Sequence, residues 1–221
     1  MQTTERAHGL ILRTRLFTET SLIVNWLTPE FGRISTVAKG ARRPKSPFRG
    51  KLDLFYETDF SFHRSQRSGL HTLREVVLRE TNEPLRHDLG HLRQASYCAA
   101  LIEQTTETQT PIPEIYELFF NFLRALPKQP PRPRTVFAFE LKLLGALGLS
   151  PDLSESKLPP ETRALVNALS ETDWEKLPEL RATGTQAQAI RQFLHGFLIF
   201  HLGKIPKGRA HATERSTEPG S

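Results

Sequence analysis

The hydrophobic period of the chain changes at Glu83-Pro84, and no other feature of the sequence restricts the fold as much. Before this point, apolar and polar residues alternate in short runs, as they do in strands that bury one face. Beyond it, apolar residues recur every three or four positions, which is the spacing of a helix with one buried face. This order predicts an α+β protein in which a β domain precedes a helical one.

Five strands are predicted in the first 80 residues. Turn signals separate them: Thr28–Gly32 contains a Pro and a Gly that suit a tight turn, and Gln66–Gly69 is a second turn. Five short strands with almost no helical spacing between them predict a small barrel of the OB-fold or SH3-like type. The predicted strands are His8–Arg15, Ser21–Thr28, Arg33–Lys39, Tyr56–Arg64 and Leu70–Arg79.

Helices are predicted throughout the second part of the chain. Asp88 suits the N-cap of the first helix, and Pro113 suits the first turn of the second. The sequence therefore predicts a barrel domain over residues 1–80, a helical domain over residues 81–203 and a polar, flexible tail over residues 204–221. The later helices are predicted at about residues 134–147, 161–169, 172–177 and 185–202.

Positive charge is concentrated in the predicted barrel. The whole chain has a formal net charge of +6. Residues 1–80 contain fourteen Lys and Arg against eight Asp and Glu, whereas residues 81–221 contain sixteen of each class. A basic module attached to a neutral body is typical of a protein that binds nucleic acid through that module.

The segment Phe31–Leu52 has seven basic residues and no acidic one. Gly40, Pro44 and Pro47 disfavour a helix, so we predict a loop that leaves a strand at the rim of the barrel. A run of charge is often only a solvated surface, but the lack of acids and the neutral remainder of the chain favour phosphate binding. The candidate DNA-binding residues are Arg33, Lys39, Arg42, Arg43, Lys45, Arg49 and Lys51.

Aromatic residues of the barrel region are a second class of candidate. Trp26, Phe60 and Phe62 are predicted to fill the barrel, the two Phe residues because they share one face of a strand. Phe31 and Phe48 flank turns and are therefore the better candidates for stacking on unpaired bases. The other aromatic residues of this region are Phe17, Phe55 and Tyr56.

Motifs of common enzyme classes do not occur in the sequence, which has no GxxxxGK[ST], GxSxG or HExxH. The single cysteine, Cys98, falls on the apolar side of a predicted helix, where a free thiol is usually inert. His87 and His91 are spaced to share a metal ion but have no convincing further ligand nearby. We predict a protein that is not an enzyme and holds no metal or cofactor. A nucleophilic Cys98 is the enzymatic alternative.

The composition favours an intracellular protein. One cysteine allows no internal disulfide, so nothing in the sequence depends on an oxidising compartment. The first residues contain no apolar run of the signal-peptide kind, and no stretch approaches the roughly 20 apolar residues that span a bilayer. We therefore expect a cytoplasmic protein that does not enter a membrane.

The segment Val37–Ser46 (VAKGARRPKS) follows Thr28–Arg33 (TPEFGR). Together with weaker matches in order along the chain, it resembles the RecO family of DNA repair and recombination proteins. The weaker matches are Glu19, Gly50, Leu52, Leu70, Leu73, Glu75, Ser96-Tyr97, Leu101–Glu103, Phe139–Leu144, Gly148–Leu153, His201–Lys204, Lys207 and Arg209.

The resemblance implies an N-terminal five-stranded OB-fold barrel and an all-α, helical C-terminal domain. It implies a recombination mediator that binds single- and double-stranded DNA without sequence specificity and anneals complementary strands. The implied partners are RecR and the acidic, Phe-ended tail of the single-stranded-DNA-binding protein SSB, for which the helical domain would offer an apolar groove. RecA is an indirect partner, because it is loaded on SSB-coated DNA, and the protein is expected at the nucleoid.

Two departures from the family pattern concern metal and the C-terminus. Many RecO proteins carry four cysteines after the central helix, but Gly148–Glu161 contains none, which predicts no zinc. The C-terminal motif of the family usually has Ser at the position of Gly208, between Lys207 and Arg209.

A second class of function fits the same residues. A basic OB-fold barrel on a helical scaffold is also compatible with an RNA-binding or ribosome-associated protein. A preference for structured RNA over single-stranded DNA would favour this alternative.

Overall fold

The computed structural model describes residues 4–214, in which five strands precede six α-helices. The strands are β1 (Thr4–Leu16), β2 (Leu22–Thr28), β3 (Gly32–Ala38), β4 (Glu57–His63) and β5 (Leu70–Glu80). The helices are α1 (Leu89–Thr105), α2 (Pro113–Ala125), α3 (Pro133–Ala146), α4 (Pro160–Glu171), α5 (Gly184–Leu202) and α6 (Arg209–Ala212). Short 3-10 helices occupy Glu83–His87, Leu126–Lys128 and Leu177–Glu179.

The described chain divides into two compact units. The barrel unit contains residues 4–83 and 106–120, and the helical unit contains residues 84–105 and 121–214. The segment 106–120, which connects α1 to α2 and contains the first part of α2, therefore packs with the barrel. Hydrophobic spacing does not reveal this arrangement, because spacing reports only on local structure.

The five strands close into a barrel in the order β1-β2-β3-β5-β4. Neighbouring strands are antiparallel, except that β3 and β5 pair in parallel over Ser35–Val37. This arrangement confirms the predicted α+β class, with an OB-fold barrel followed by a helical region. A small closed barrel leaves its loops at the two ends, where they are free to bind a ligand.

The barrel core is aromatic, as the alternation of Phe60 and Phe62 predicts. Trp26, Phe60 and Phe62 are all buried, and the rings of Trp26 and Phe60 stack with centroids 4.0 Å apart. The indole Nε1 of Trp26 donates to the hydroxyl of Thr36 at 2.8 Å, so the one polar atom of this ring is satisfied.

The turn between β2 and β3 is closed by Thr28, whose Oγ1 accepts from the amide of Phe31 and donates to the carbonyl of Gly32, both at 3.0 Å. Gly32 has a φ of +61°, and a Cβ atom there would lie 1.9 Å from the carbonyl oxygen of Thr110. Only glycine fits this position, because the segment that follows α1 passes directly over it.

Glu140 lies at the buried centre of the helical unit and has no exposed surface. The guanidinium of Arg209 donates to both of its carboxylate oxygens, from Nε at 2.7 Å and from Nη2 at 2.8 Å. The hydroxyl of Tyr97 donates to the same carboxylate at 2.6 Å. Burial, followed by the charge of Glu140, raises the pKa of Tyr97, which therefore stays a donor.

The C-terminal segment differs from the predicted flexible tail over its described part. Residues 209–212 form α6, and Arg209 is buried against Glu140. The amide of Gln94 on α1 also donates to the carbonyl of Ala212 at 3.2 Å. Residues 215–221, which belong to the same predicted tail, lie outside the described residues.

The helix predicted at residues 172–177 is wrong. The backbone is extended at Thr172, directly after α4, and Leu177–Glu179 forms only one 3-10 turn. The amides of Lys176 and Leu177 both donate to the carbonyl of Asp173, which makes a single turn, and Pro178 cannot extend it because it has no amide hydrogen to donate.

Candidate nucleic-acid interface

The acid-free run of the sequence forms the connection from β3 to β4, and we call residues 39–52 the basic loop. Five of the candidate side chains on this loop are exposed, and none of these five has an acidic partner among the described contacts. Exposed cations without an acidic partner are available to phosphates. These five are Lys39, Arg42, Arg43, Lys45 and Arg49.

The backbone of the basic loop is ordered by successive turns. The amides of Ala41, Arg43, Ser46 and Arg49 each donate to the carbonyl three residues earlier, at 3.0–3.3 Å. Gly40 begins this run with a φ of +66°. A loop that is already ordered loses little conformational freedom when it binds a ligand, which favours affinity.

Phe48 anchors the basic loop to the barrel. Its ring is only 7% exposed and belongs to the barrel core. A ring that is so largely buried offers little surface to a base, which argues against Phe48 as a stacking residue. Its position beside a turn is local information, whereas its burial depends on strands that are distant in sequence.

Phe31 is half-buried and remains a weaker stacking candidate. Its ring packs edge-on against Phe62, with centroids 5.6 Å apart. The guanidinium of Arg64 lies over the same ring, 5.4 Å from its centroid. A base would have to share the ring with these two neighbours, and stacking on Phe31 stays a prediction.

Arg33 differs from the exposed cations although it belongs to the same run of sequence. Its Nε donates to the hydroxyl of Thr106 at 2.7 Å, and its Nη2 donates to the carbonyl of that residue. The amide of Gln109 in turn donates to the carbonyl of Arg33 at 2.8 Å. These contacts commit Arg33 to holding the segment after α1 and argue against a role in phosphate binding.

Lys51 is also engaged within the barrel unit, because its Nζ donates to the carbonyl of Val76 at 3.3 Å.

Arg42 joins the basic loop to the tip of the β1–β2 hairpin. Its amide donates to the carbonyl of Thr20 at 3.0 Å, and its Nη1 donates to the carbonyl of Glu19 at 2.9 Å. Two apolar side chains at this tip, Leu16 and Phe17, are 66% and 53% exposed. Phe17 is one of the aromatic candidates of the barrel region in the sequence but is not among the preferred ones, and nothing in the sequence indicates Leu16. An aromatic residue beside a polar turn was the available signal.

A cleft of about 440 Å³ lies against the basic loop. Its lining contains both apolar residues and three arginines, so it combines a surface for a flat apolar group with donors for phosphate oxygens. Its lining residues are Leu22, Ala41, Arg42, Arg43, Pro44, Phe48, Arg49, Gly50 and Leu52.

A second cleft of the barrel unit, of about 510 Å³, has a different electrostatic character. Three carboxylates, those of Glu30, Asp59 and Glu75, contribute to its lining. His8 and Arg79 both contact Asp59, the histidine at 2.8 Å. Carboxylates repel phosphates, so the basic loop is the better nucleic-acid surface of this unit.

A buried histidine, His71, lies near the start of β5. His71 is fully buried, its ring stacks on Phe62 with centroids 5.2 Å apart, and its Nδ1 accepts from the amide of Ser65 at 3.2 Å. Burial lowers the pKa of His71, and the positive charge of Arg64 lowers it further. Arg64 itself forms a two-pronged pair with Glu5, at 2.5 and 2.9 Å, and this pairing lowers the pKa of Glu5.

The described residues offer no support for a nucleophilic Cys98. The thiol is buried, and burial followed by the charge of Glu140 raises its pKa well above the usual value, which disfavours the thiolate.

His91 and His87, which are spaced to share a metal ion, differ in their surroundings. His91 is buried with its Nε2 2.9 Å from the carbonyl of Gln129, whereas His87 is exposed. Within residues 4–214 no group of three or more His, Cys, Asp or Glu residues is arranged to hold a metal ion.

The helical unit has a cleft of about 410 Å³ whose lining contains apolar residues and two arginines. Arg134 is half-buried there, its Nη1 donates to the carbonyl of Leu180 at 3.3 Å, and its buried Nε has no partner among the described atoms. Burial, and then the charge of Arg132, lowers the pKa of Arg134. The lining residues are Pro130, Arg132, Pro133, Arg134, Phe137, Leu165, Leu169, Leu180, Ala182, Ala187 and Ile190.

None of the helices between residues 4 and 214 has both the length and the apolar character needed to cross a membrane.

Comparison with known proteins gives matches along most of the chain. The family profile described as Recombination protein O N terminal matches residues 1–82, and the profile described as Recombination protein O C terminal matches residues 86–157. The barrel and the first three helices thus fall within the two matched regions. Val37–Ser46, the segment that forms the start of the basic loop, lies inside the first of them.

Individual relatives carry the same description. The DNA repair protein RecO of Listeria monocytogenes is 32% identical over 158 residues, which are 72% of this chain and 61% of that protein. The protein of the same name from Bacillus subtilis is 32% identical over 149 residues, 67% of this chain and 58% of that protein. The one from Anaeromyxobacter sp. strain K is 36% identical over 145 residues, 66% of this chain and 57% of that protein. The matched part of the chain spans about three fifths of the length of these relatives.

Proposed function

Because the chain belongs to the RecO family of DNA repair proteins, we propose that it is a recombination mediator. In this role it binds single- and double-stranded DNA and anneals complementary strands, and it works without catalysing a reaction. The observation that carries the proposal is the basic loop, on which five exposed cations are held by an ordered backbone.

The binding that such a loop supports is independent of DNA sequence. Arginine and lysine contacts to phosphates release counterions, so the affinity falls steeply as salt is added. Reading a base sequence needs a helix or strand inserted in a groove, and the basic loop consists of tight turns. Annealing follows from the same charge, because cations between two strands reduce the repulsion of their phosphates.

The helical unit contributes a proposed site for the acidic, Phe-ended tail of SSB. The cleft that Arg132 and Arg134 help to line has apolar residues that suit a Phe ring and cations that suit carboxylates. Partly desolvated arginines hold a carboxylate more strongly than fully solvated ones. Calorimetry with an SSB-tail peptide is expected to detect binding that Arg132→Ala weakens and that Lys176→Ala, an exposed change elsewhere, leaves unaltered. No binding by the unaltered protein would contradict this site.

The further partners belong to the same proposal. Together with RecR, the protein helps RecA to load on SSB-coated single-stranded DNA, in the cytoplasm at the nucleoid. The RNA-binding alternative uses the same loop and is separated from the mediator role by a direct comparison of ligands.

The test is the rate at which complementary oligonucleotides coated with SSB anneal, measured across a salt series. Acceleration by the protein that fades steeply with salt is expected. The variant Arg42→Ala/Arg43→Ala/Lys45→Ala should lose most of it, whereas a matched change of three exposed cations in the helical unit, Lys157→Ala/Lys176→Ala/Arg181→Ala, should keep it. Equal rates for the loop variant and the unaltered protein would contradict the proposal. Tighter binding of a structured RNA than of single-stranded DNA would favour the alternative.

A further inference from the structure

Leu16 and Phe17 form an apolar tip on the β1–β2 hairpin. Single exposed apolar side chains are common on protein surfaces and carry no meaning alone. These two residues are adjacent in sequence, and both are more than half exposed. The rest of the tip, Thr18 to Thr20, is polar and closes the turn through backbone bonds between Ser21 and Phe17 and between Ser21 and Thr18.

Two observations place this tip beside the arginine cleft. In the β1–β2 ladder, Leu16 pairs with Leu22, which lines the cleft. On the other side, Arg42 lines the same cleft and binds the carbonyls of Glu19 and Thr20. The hairpin tip and the basic loop are therefore joined by hydrogen bonds and border one surface.

We propose that the apolar tip and the cleft together hold unpaired nucleobases, with Phe17 as the stacking residue. This inference rests on the proposed DNA-binding function and names the form of DNA that the site prefers, which is single-stranded. Arg42, Arg43 and Arg49, which line the cleft, bind the phosphates, and the ring of Phe17 stacks on the face of a base.

The chemistry of the surface selects an unpaired base over other occupants. A base has a flat apolar face and is linked to a phosphate, which matches an exposed ring next to arginines. In a duplex, the faces of the bases are covered by their neighbours, so Phe17 gains no contact there. An acidic peptide without an aromatic residue would satisfy the arginines but would leave the exposed ring without a partner.

Phe17 and the cations should differ in how their loss changes the salt dependence of DNA affinity. Loss of a stacking contact removes affinity without removing a phosphate contact, so the slope of log affinity against log salt should not change. Loss of an arginine should change both the affinity and the slope. The two kinds of residue can therefore be told apart in one experiment.

The experiment measures binding of a thymidine homopolymer and of a blunt duplex of equal length by fluorescence anisotropy, at several salt concentrations. Phe17→Ala should weaken binding of the homopolymer by about 5-fold or more, because stacking on one aromatic ring has roughly that effect. Binding of the duplex should change by less than about 2-fold. Phe17→Trp should restore the affinity for the homopolymer. Val77→Ala, which removes another exposed apolar side chain of the barrel unit, is the matched control.

The outcomes separate this inference from the proposed function. If Phe17→Ala behaves like Val77→Ala, or weakens single strand and duplex equally, the stacking role is wrong. If the stacking role fails in this way while Arg42→Ala/Arg43→Ala still reduces both the affinity for DNA and the steepness of its salt dependence, the DNA-binding proposal stands without a stacking role for Phe17. If the arginine variant also binds like the unaltered protein, the proposed function fails as well.

Discussion

The basic loop of the barrel unit and the Arg209 site of the helical unit use the same side chain in opposite ways. Arg43 is exposed and has no acidic partner within residues 4–214, whereas Arg209 is buried and donates from both Nε and Nη2 to the carboxylate of Glu140. An exposed arginine adds almost nothing to stability but is available to a phosphate. A buried arginine is unavailable to ligands, and its loss leaves a buried carboxylate without a cation to balance its charge.

Arg33 shows that burial and partners, rather than neighbours in sequence, decide which use applies. It lies in the same acid-free run as Arg43, yet its guanidinium is engaged by Thr106. The comparison therefore predicts that Arg33 behaves like Arg209 in a stability measurement and unlike Arg43 in a binding measurement.

The largest expected effect is that of Arg209→Ala. Removing one partner of a buried ion pair destabilises a protein by about 3–5 kcal/mol, because the other charge stays buried without compensation. Urea unfolding followed by circular dichroism should show this loss. Lys207→Ala, an exposed change two residues earlier, should leave the unfolding midpoint unaltered. A loss no greater than that of the Lys207 variant would contradict the structural role of the pair.

Arg33→Ala should have the next largest effect on stability. A hydrogen bond that involves a charged group contributes about 1.5–3 kcal/mol, and Arg33 makes two such bonds to Thr106. The free energy of unfolding of this variant should fall accordingly. That of Arg43→Ala, which removes the same side chain from an exposed position, should not. Equal stability of the two variants would contradict the structural role assigned to Arg33.

A smaller effect is expected from pH through His71. Its pKa is lowered in the folded protein by burial and by Arg64, so the unfolded chain binds more protons as the pH falls below the usual value of 6.5. Stability should therefore be constant above that pH and should decrease between about pH 6.5 and 5.5, before the carboxylates begin to titrate. His71→Asn keeps an acceptor for the amide of Ser65 and should show a flatter profile over this window. An unchanged slope in this variant would show that another group is responsible.

The barrel could be predicted from the sequence because its signals are local. The predicted strand Arg33–Lys39 and the observed β3 differ by one residue at each end. Alternation decides which side chains face the core, and the Pro and Gly of Thr28–Gly32 decide where the chain turns. The same local reasoning identified five of the seven candidate cations as exposed members of one loop.

The remaining features depend on contacts between distant parts of the chain. Phe48 is buried because strands far from it in sequence surround it, and Arg33 is engaged by a segment more than 70 residues away. The burial of Arg209 follows from a glutamate on α3, so a polar C-terminal composition did not reveal it. In each case the local sequence suggested an accessible position, and a tertiary contact determined the outcome.

The most direct test of the account is the salt dependence of duplex DNA binding. For the unaltered protein, log affinity should fall linearly with log salt, and Arg42→Ala/Arg43→Ala/Lys45→Ala should make that slope less negative by about 2 to 3, since each lost phosphate contact removes roughly 0.9. Arg33→Ala should keep the slope of the unaltered protein. A triple variant with an unchanged slope, or an Arg33 variant that loses as much slope as expected for a phosphate contact, would contradict the assignment of the basic loop as the DNA-binding surface.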